Sequence, residues 1–298
     1  MTSTDSGCEV HSTLGALLIG LFVSSCLFGI GTVQTYIYYT QFRNDKMHMK
    51  IMVLSMWPCE LGHCICLLHA FYTIVIHKYW QQHCIETIPT SMVVSIALSG
   101  VIGTVVQIFF IERVRNVSGR IIIPIACWIA SMTRFVLTLV MTRKAVTVNL
   151  NEFDRHLKWL CVTVLALGAA VDFFVAVSLS YYLKARRING FPVTSLMIDK
   201  ITAWTIQTGV LTSLAGLCML VLFVVIPENF IWLAIFMSLS RLFSNSLLAL
   251  LNGRAGLREE TFFEIRSWSR AKKLLPRDRS GLQGKKMKKD SVYKHGIF

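Results

Sequence analysis

Charge is what this sequence has least of. Asp, Glu, Lys and Arg make up 15% of its 298 residues, against roughly 25% in soluble domains. Hydrophobic residues make up 54%, and the mean hydropathy is +0.57. A chain so poor in charge cannot cover a water-facing surface of its size, which excludes an ordinary soluble fold. Acids are scarcer still, 16 against 30 basic residues, for a net charge of +14. With only six prolines, long stretches have no helix breaker. Seven of the nine cysteines lie inside apolar runs, where Cys is a small filler, and that excludes a disulfide scaffold.

Seven long apolar segments take the place of a soluble surface, near 14–39, 50–76, 88–111, 121–142, 159–183, 201–226 and 230–252. Each meets the ~20 residues needed to cross a hydrocarbon core of ~30 Å. The sequence therefore predicts an all-α integral membrane bundle of seven spans, with a short N-terminal segment at 1–13 and a tail at 253–298. The first span has no basic leader and is too long for a signal-peptide core, so it is expected to stay as an anchor. Lys and Arg in the connections set the orientation: 23 lie on the tail's side and 5 opposite. This predicts the N-terminus outside and the C-terminus in the cytosol. On that topology only Cys8 and Cys84 face outside, either as one bridge or as two free thiols. The tail, with thirteen basic and five acidic residues, is expected to form an interfacial helix followed by a disordered end. Its expected counter-ions are anionic lipid headgroups rather than nucleic acid.

Charge inside the spans is rare and therefore informative. Arg241 stands near the middle of the last one. At 100° per residue Ser238, Arg241, Asn245, Ala249 and Asn252 share an arc of about 80°. Such a stripe must face protein or water, because an unpartnered charge at the bilayer centre costs roughly 2.5–3.5 kcal/mol. Glu60, Arg134 and Asp172 lie at comparable depths in spans 2, 4 and 5. Two acids and two bases form a neutral set, so pairing is expected: Asp172 with Arg241 or Arg134, and Glu60 with the other. With His63, Ser238 and Asn245 these residues make a candidate intramembrane polar network. Glu60 and His63 are one helical turn apart, a metal-ligating spacing, but a di-metal site needs a second such pair and none is visible, so no metal or cofactor is assigned.

Absent motifs exclude more. The last span has no Lys for a retinal Schiff base and no Asn-Pro-x-x-Tyr. Gly-x-Ser-x-Gly, His-Glu-x-x-His and a phosphate-binding Gly loop are all missing. Nothing in the sequence argues for an enzyme.

Two blocks carry a likeness. Gly15-Ala-Leu-Leu, Leu27-Phe28-Gly29, Gln34, Tyr38-Tyr39, Asp45 and Lys50 form the first, and Gln107 to Phe110 with Arg113 fit between the blocks. Thr208-Gly209, Leu211-Thr212-Ser213 and the run Ser240 to Ala249 with Leu251 to Arg254, Leu257 and Arg258 form the second. Over about residues 10–258 the chain resembles an uncharacterised seven-helix family of mushroom-forming fungi, catalogued as domain of unknown function 6534. That family more often has a Leu-Asp-Thr element where Pro58-Cys59-Glu60 stand here, and Lys and Tyr in place of Arg241 and Phe243. The resemblance implies the fold and membrane placement. Function rests on the residues, which favour a receptor- or sensor-like protein, in the plasma membrane rather than an internal one, with an unknown ligand or cytosolic partner. The alternatives are a proton-coupled carrier working through the buried charges and a scaffold whose charges only specify packing.

Overall fold

The computed structural model describes residues 5–77, 89–147, 158–188, 192–226 and 231–274. These form seven helices: α1 (Asp5–Gln41), α2 (Met47–Tyr72, running into a π turn at Thr73–His77), α3 (Thr90–Ser118), α4 (Ile122–Thr147), α5 (Lys158–Ile188), α6 (Pro192–Val225) and α7 (Ile231–Leu274). No strand occurs among the described residues. Cys84 and the basic end after Leu274 lie outside them, as does the Cys8 side chain, so the bridge and the disordered end expected there do too.

Six segments are long and apolar enough to cross a membrane: Leu14–Gln41, Met47–Val75, Thr90–Ser118, Ile122–Val146, Lys158–Tyr182 and Ile231–Arg254. In α6 the described apolar stretch is the shorter Gly209–Val225. The chain is thus a multi-pass helical membrane protein in contact with the lipid bilayer. Its outer face fits that solvent. Ile19, Phe22, Leu54, Ile129, Phe173, Phe174 and Val221 are each at least half exposed, as lipid allows and water does not.

Several helices run beyond the expected spans: α3 continues to Ser118 and α6 opens at Pro192. α1 opens at Asp5, ahead of the first span, and α7 runs through residue 253 without a break. The tail's first part is therefore a continuation of the last span, because Arg, Glu, Ala, Leu and Lys are strong helix formers and the edge of a bilayer does not end a helix. α3 ends where Gly119 takes φ 65° and its N–H returns to the Arg115 carbonyl, a left-handed cap that suits glycine.

α3 is the central helix, packed on α2, α4, α5 and α7, while α6 fills the space between α5 and α7. α1 lies mainly along α7. Gly20 sits opposite Ala234, the Ser24 hydroxyl donates to the Met237 carbonyl, Asn245 Nδ2 donates to the Leu27 carbonyl and Asn252 Nδ2 to that of Gln34. The paired numbers rise together, so α1 and α7 run parallel. Small residues permit this approach, since van der Waals fit and interhelical hydrogen bonds replace the hydrophobic effect in lipid. One buried cluster, with Tyr38, Val53, Ile102, Val106, Phe243 and Leu247, then joins α1, α2, α3 and α7.

A Cβ on Gly20 would come within 2.6 Å of the Ala234 backbone, whereas one on Gly15 would meet nothing within 4 Å. Gly20→Leu should therefore lower the stability of the detergent-solubilised protein by about 1–3 kcal/mol, read by thermal unfolding. Gly15→Leu should leave it unchanged.

Candidate intramembrane polar site

Arg241 is 1% exposed and faces inward. Its neighbours Ser240 and Ser244 are buried as well, and so are Leu239, Phe243 and Leu247, so protein surrounds most of α7 at this depth. The Nη1 of Arg241 donates to Glu60 Oε2 in a buried ion pair. The Ser244 hydroxyl, one turn further along α7, donates to Glu60 Oε1 at 2.7 Å. Both carboxyl oxygens therefore accept, the pattern of an ionised group. Arg241 Nη2 lies 3.3 Å from His63 Nδ1. A guanidinium can only donate, so His63 is neutral there with its proton on Nε2. That Nε2 is buried without a hydrogen-bond partner, and the ring sits edge-on to Phe236. From α1, Phe28 places its ring 5.0 Å from the guanidinium carbon and Ser24 Oγ lies 3.5 Å from Nε. The guanidinium thus fills the space between Glu60 and His63 that a metal ion would need.

The second pair of charges forms a separate cluster across α3. Gln107 Nε2 donates to Asp172 Oδ1 at 2.8 Å, and the Ser131 hydroxyl donates to Gln107 Oε1 at 2.9 Å. Asp172 makes no ion pair with Arg134 within 4 Å, and the Nη1 of Arg134 has no hydrogen-bond partner among the described residues. The guanidinium lies in a slot made by two glycines. A Cβ on Gly103 would come 3.0 Å from Nη2, and one on Gly168 would come 3.2 Å from Nε. Asp172 also borders a cavity of about 30 Å³ with Gln107, Thr212 and Ser246.

The residues expected to form one network are therefore divided. Glu60, His63 and Arg241 come together, while Arg134 and Asp172 lie apart from them around α3 and form no ion pair within 4 Å, so the second of the two expected pairings is not made. Ile102 and Val106 of α3 belong to the buried cluster that joins α2 and α7. Asn245 turns to α1, and the Ser238 hydroxyl reaches only its own helix, 3.4 Å from the Ala234 carbonyl. Sequence reasoning left out Ser244, Ser24, Gln107 and Ser131. Ser244 was accessible to it, lying three residues after Arg241 on the same side of the helix. Gln107 could be seen as a polar residue within a span, but its acidic partner could not.

A third polar cluster closes the end of the bundle where α1 meets α7. Arg254 Nη2 donates to Asp45 Oδ2 at 2.7 Å, and the Tyr38 hydroxyl donates to the same oxygen at 2.9 Å. Arg254 also stacks over Phe42, 4.8 Å from its centroid. Burial alone would raise the Asp45 carboxyl, but the hydrogen bonds from Arg254 and Tyr38 and the Arg254 charge outweigh it and hold it below its ordinary value of 3.8.

Residues 168–256 match the profile of a family described as a family of unknown function (DUF6534). The match spans most of α5, all of α6 and α7 beyond Arg254, and so contains Asp172, Arg241, Ser244 and Arg254 but neither Glu60 nor Arg134. It is narrower than the resemblance read over 10–258. Comparison with curated proteins gives no match, and comparison with solved structures gives none.

Two outcomes follow from the ion pairs. Glu60→Gln or Arg241→Met alone should destabilise the folded protein by about 3–5 kcal/mol, because each leaves one buried charge uncompensated. The double variant should return to within about 1 kcal/mol of the parent, a coupling measurable by denaturant unfolding in micelles. The Asp45 latch should show in pH titration. Since folding lowers the Asp45 pKa, its contribution is present above 3.8 and lost as pH falls below that value. Asp45→Asn should remove this dependence, at a cost of about 1.5–3 kcal/mol at neutral pH.

Proposed function

We propose that the chain crosses the bilayer seven times, with its N-terminus outside and its C-terminus in the cytosol, and works as a receptor- or sensor-like protein with no catalytic activity. The parallel course of α1 and α7 supports the count. An even number of reversals must separate them, so if α2 to α5 each cross, α6 crosses as well. At 1.5 Å per residue the 34 residues of α6 reach about 51 Å, which is ample. The excess of Lys and Arg on the tail's side supports the orientation and, through anionic headgroups, a plasma-membrane location.

The observation that carries the sensor reading is the continuity of α7. One unbroken helix holds Arg241 against Glu60 and extends to Leu274, about 50 Å further along its axis. A small rotation or shift at the ion pair is thereby delivered to the cytosolic extension. On this reading the buried pair has two states, joined as it stands here and parted. A ligand that prefers one of them shifts the equilibrium by its differential affinity. The carrier reading draws on one feature, the cavity beside Asp172. It is weaker because Glu60 and Asp172 border different cavities, with Phe243 and Val106 walling the second one.

The coupling is testable without a known ligand. Spin labels at Arg115→Cys and Arg266→Cys, in a background lacking the native cysteines, report the distance from the end of α3 to the extension of α7. Glu60→Gln should shift that distance distribution by several ångströms. Identical distributions in the parent and Glu60→Gln proteins would remove the sensor reading.

A further inference from the structure

The ion pair borders a cavity in the wall between α1 and α2. It measures about 20 Å³, with Arg241, Glu60 and Ser244 at its floor and Phe28, Thr32 and Trp57 nearer its mouth. Trp57 is 36% exposed, and its indole N–H donates to the Thr32 hydroxyl at 3.2 Å, across the gap between the two helices. Its ring also faces that of Phe28, with centroids 6.4 Å apart. Both walls of the mouth are membrane spans, so the medium outside it is bilayer. A polar floor reached from lipid through an aromatic pair is the arrangement of a site entered sideways.

We infer that this cleft binds the head of a neutral, hydroxyl-bearing amphiphile whose apolar chain remains in the bilayer. Charge decides the head group. Glu60 and Arg241 cancel, so an added carboxylate would face Glu60 and an added ammonium would face Arg241, each without a free counter-ion. A hydroxyl meets neither penalty, because it donates to the open lone pairs of the Glu60 carboxylate and accepts from a remaining N–H of the guanidinium, the Thr32 hydroxyl being already donated to the Phe28 carbonyl. Size decides the rest. A cavity of this volume admits one water-sized group, so a single hydroxyl enters with its carbon left at the mouth, and a ring does not. The chain would lie on the exposed apolar face of α1 and α2 beside Val33 and Leu54.

This assignment deepens the sensor reading by naming its ligand class, and its consequence for α7 rests on that reading, but binding itself does not. The test is photolabelling of the intact protein in nanodiscs with three diazirine probes of equal chain length: a primary alcohol, a hydrocarbon and a carboxylic acid. Adducts are located by peptide mass spectrometry. The alcohol should label segments 27–35 and 53–60 about tenfold above the hydrocarbon, the size expected for one retained hydrogen bond. Thr32→Phe, which fills the mouth, should reduce alcohol labelling there to the hydrocarbon level. Diacylglycerol in the nanodisc competing with the probe would identify a bilayer lipid as the natural source, and competition by added long-chain alcohol alone would identify a free amphiphile. Equal labelling by alcohol and hydrocarbon, or preference for the acid, would overturn the assignment. A labelled cleft with an unmoved α7 would remove the sensor reading alone; a moved α7 with an unlabelled cleft would remove this one alone.

Discussion

Taking a carboxylate and a guanidinium out of water costs several kcal/mol for each ion, and the arrangement of α2 and α7 has to meet that cost. It does so with geometry. Both Glu60 oxygens accept hydrogen bonds from α7, one from Arg241 and one from Ser244, and the guanidinium turns two further donors toward His63 and Ser24. Once this pair is set, the rotation and height of α7 against α2 are fixed. A turn of α7 by one residue would carry Arg241 away from Glu60 and leave both charges in an apolar interior. The pair contributes little net stability against a hydrophobic substitute, but it excludes other registers.

The α1 helix completes the arrangement from the other side. It runs parallel to α7, joined by hydrogen bonds from Asn245 and Asn252 to its carbonyls and clamped at one end by Asp45 and Arg254. Two side-chain amides seven residues apart serve two carbonyls seven residues apart, which is what a parallel pair of helices demands. The α7 helix is therefore held along one edge by α1, with α3 and α6 packed on its other sides and α2 touching it around the ion pair. The cleft beside the pair opens between α1 and α2.

The spans could be read from the sequence because a bilayer imposes length and apolarity on any helix that crosses it, and the inward face of α7 because its polar residues recur at helical spacing. Arg241's need for an acid was legible on energetic grounds alone. Which acid was not, because Glu60 and Asp172 lie at similar depths and only the packing of α3 separates them. The Gln107–Asp172 contact joins positions 65 residues apart and the Asp45–Arg254 latch positions 209 apart, and neither spacing has a local signature. The extension of α7 past residue 252 was hidden by a change of composition. Gly253 and the charges after it read as a new segment, whereas the chain keeps its helical hydrogen bonds through them.

Infrared difference spectroscopy between the parent protein and Glu60→Gln in nanodiscs at neutral pH reads the buried pair most directly. If Glu60 is ionised against Arg241, the substitution removes a carboxylate stretch and leaves the protonated-carboxyl region unchanged. Loss of a protonated-carboxyl band instead would mean a neutral Glu60 and an unpaired Arg241, and the account of this bundle would fail at its centre.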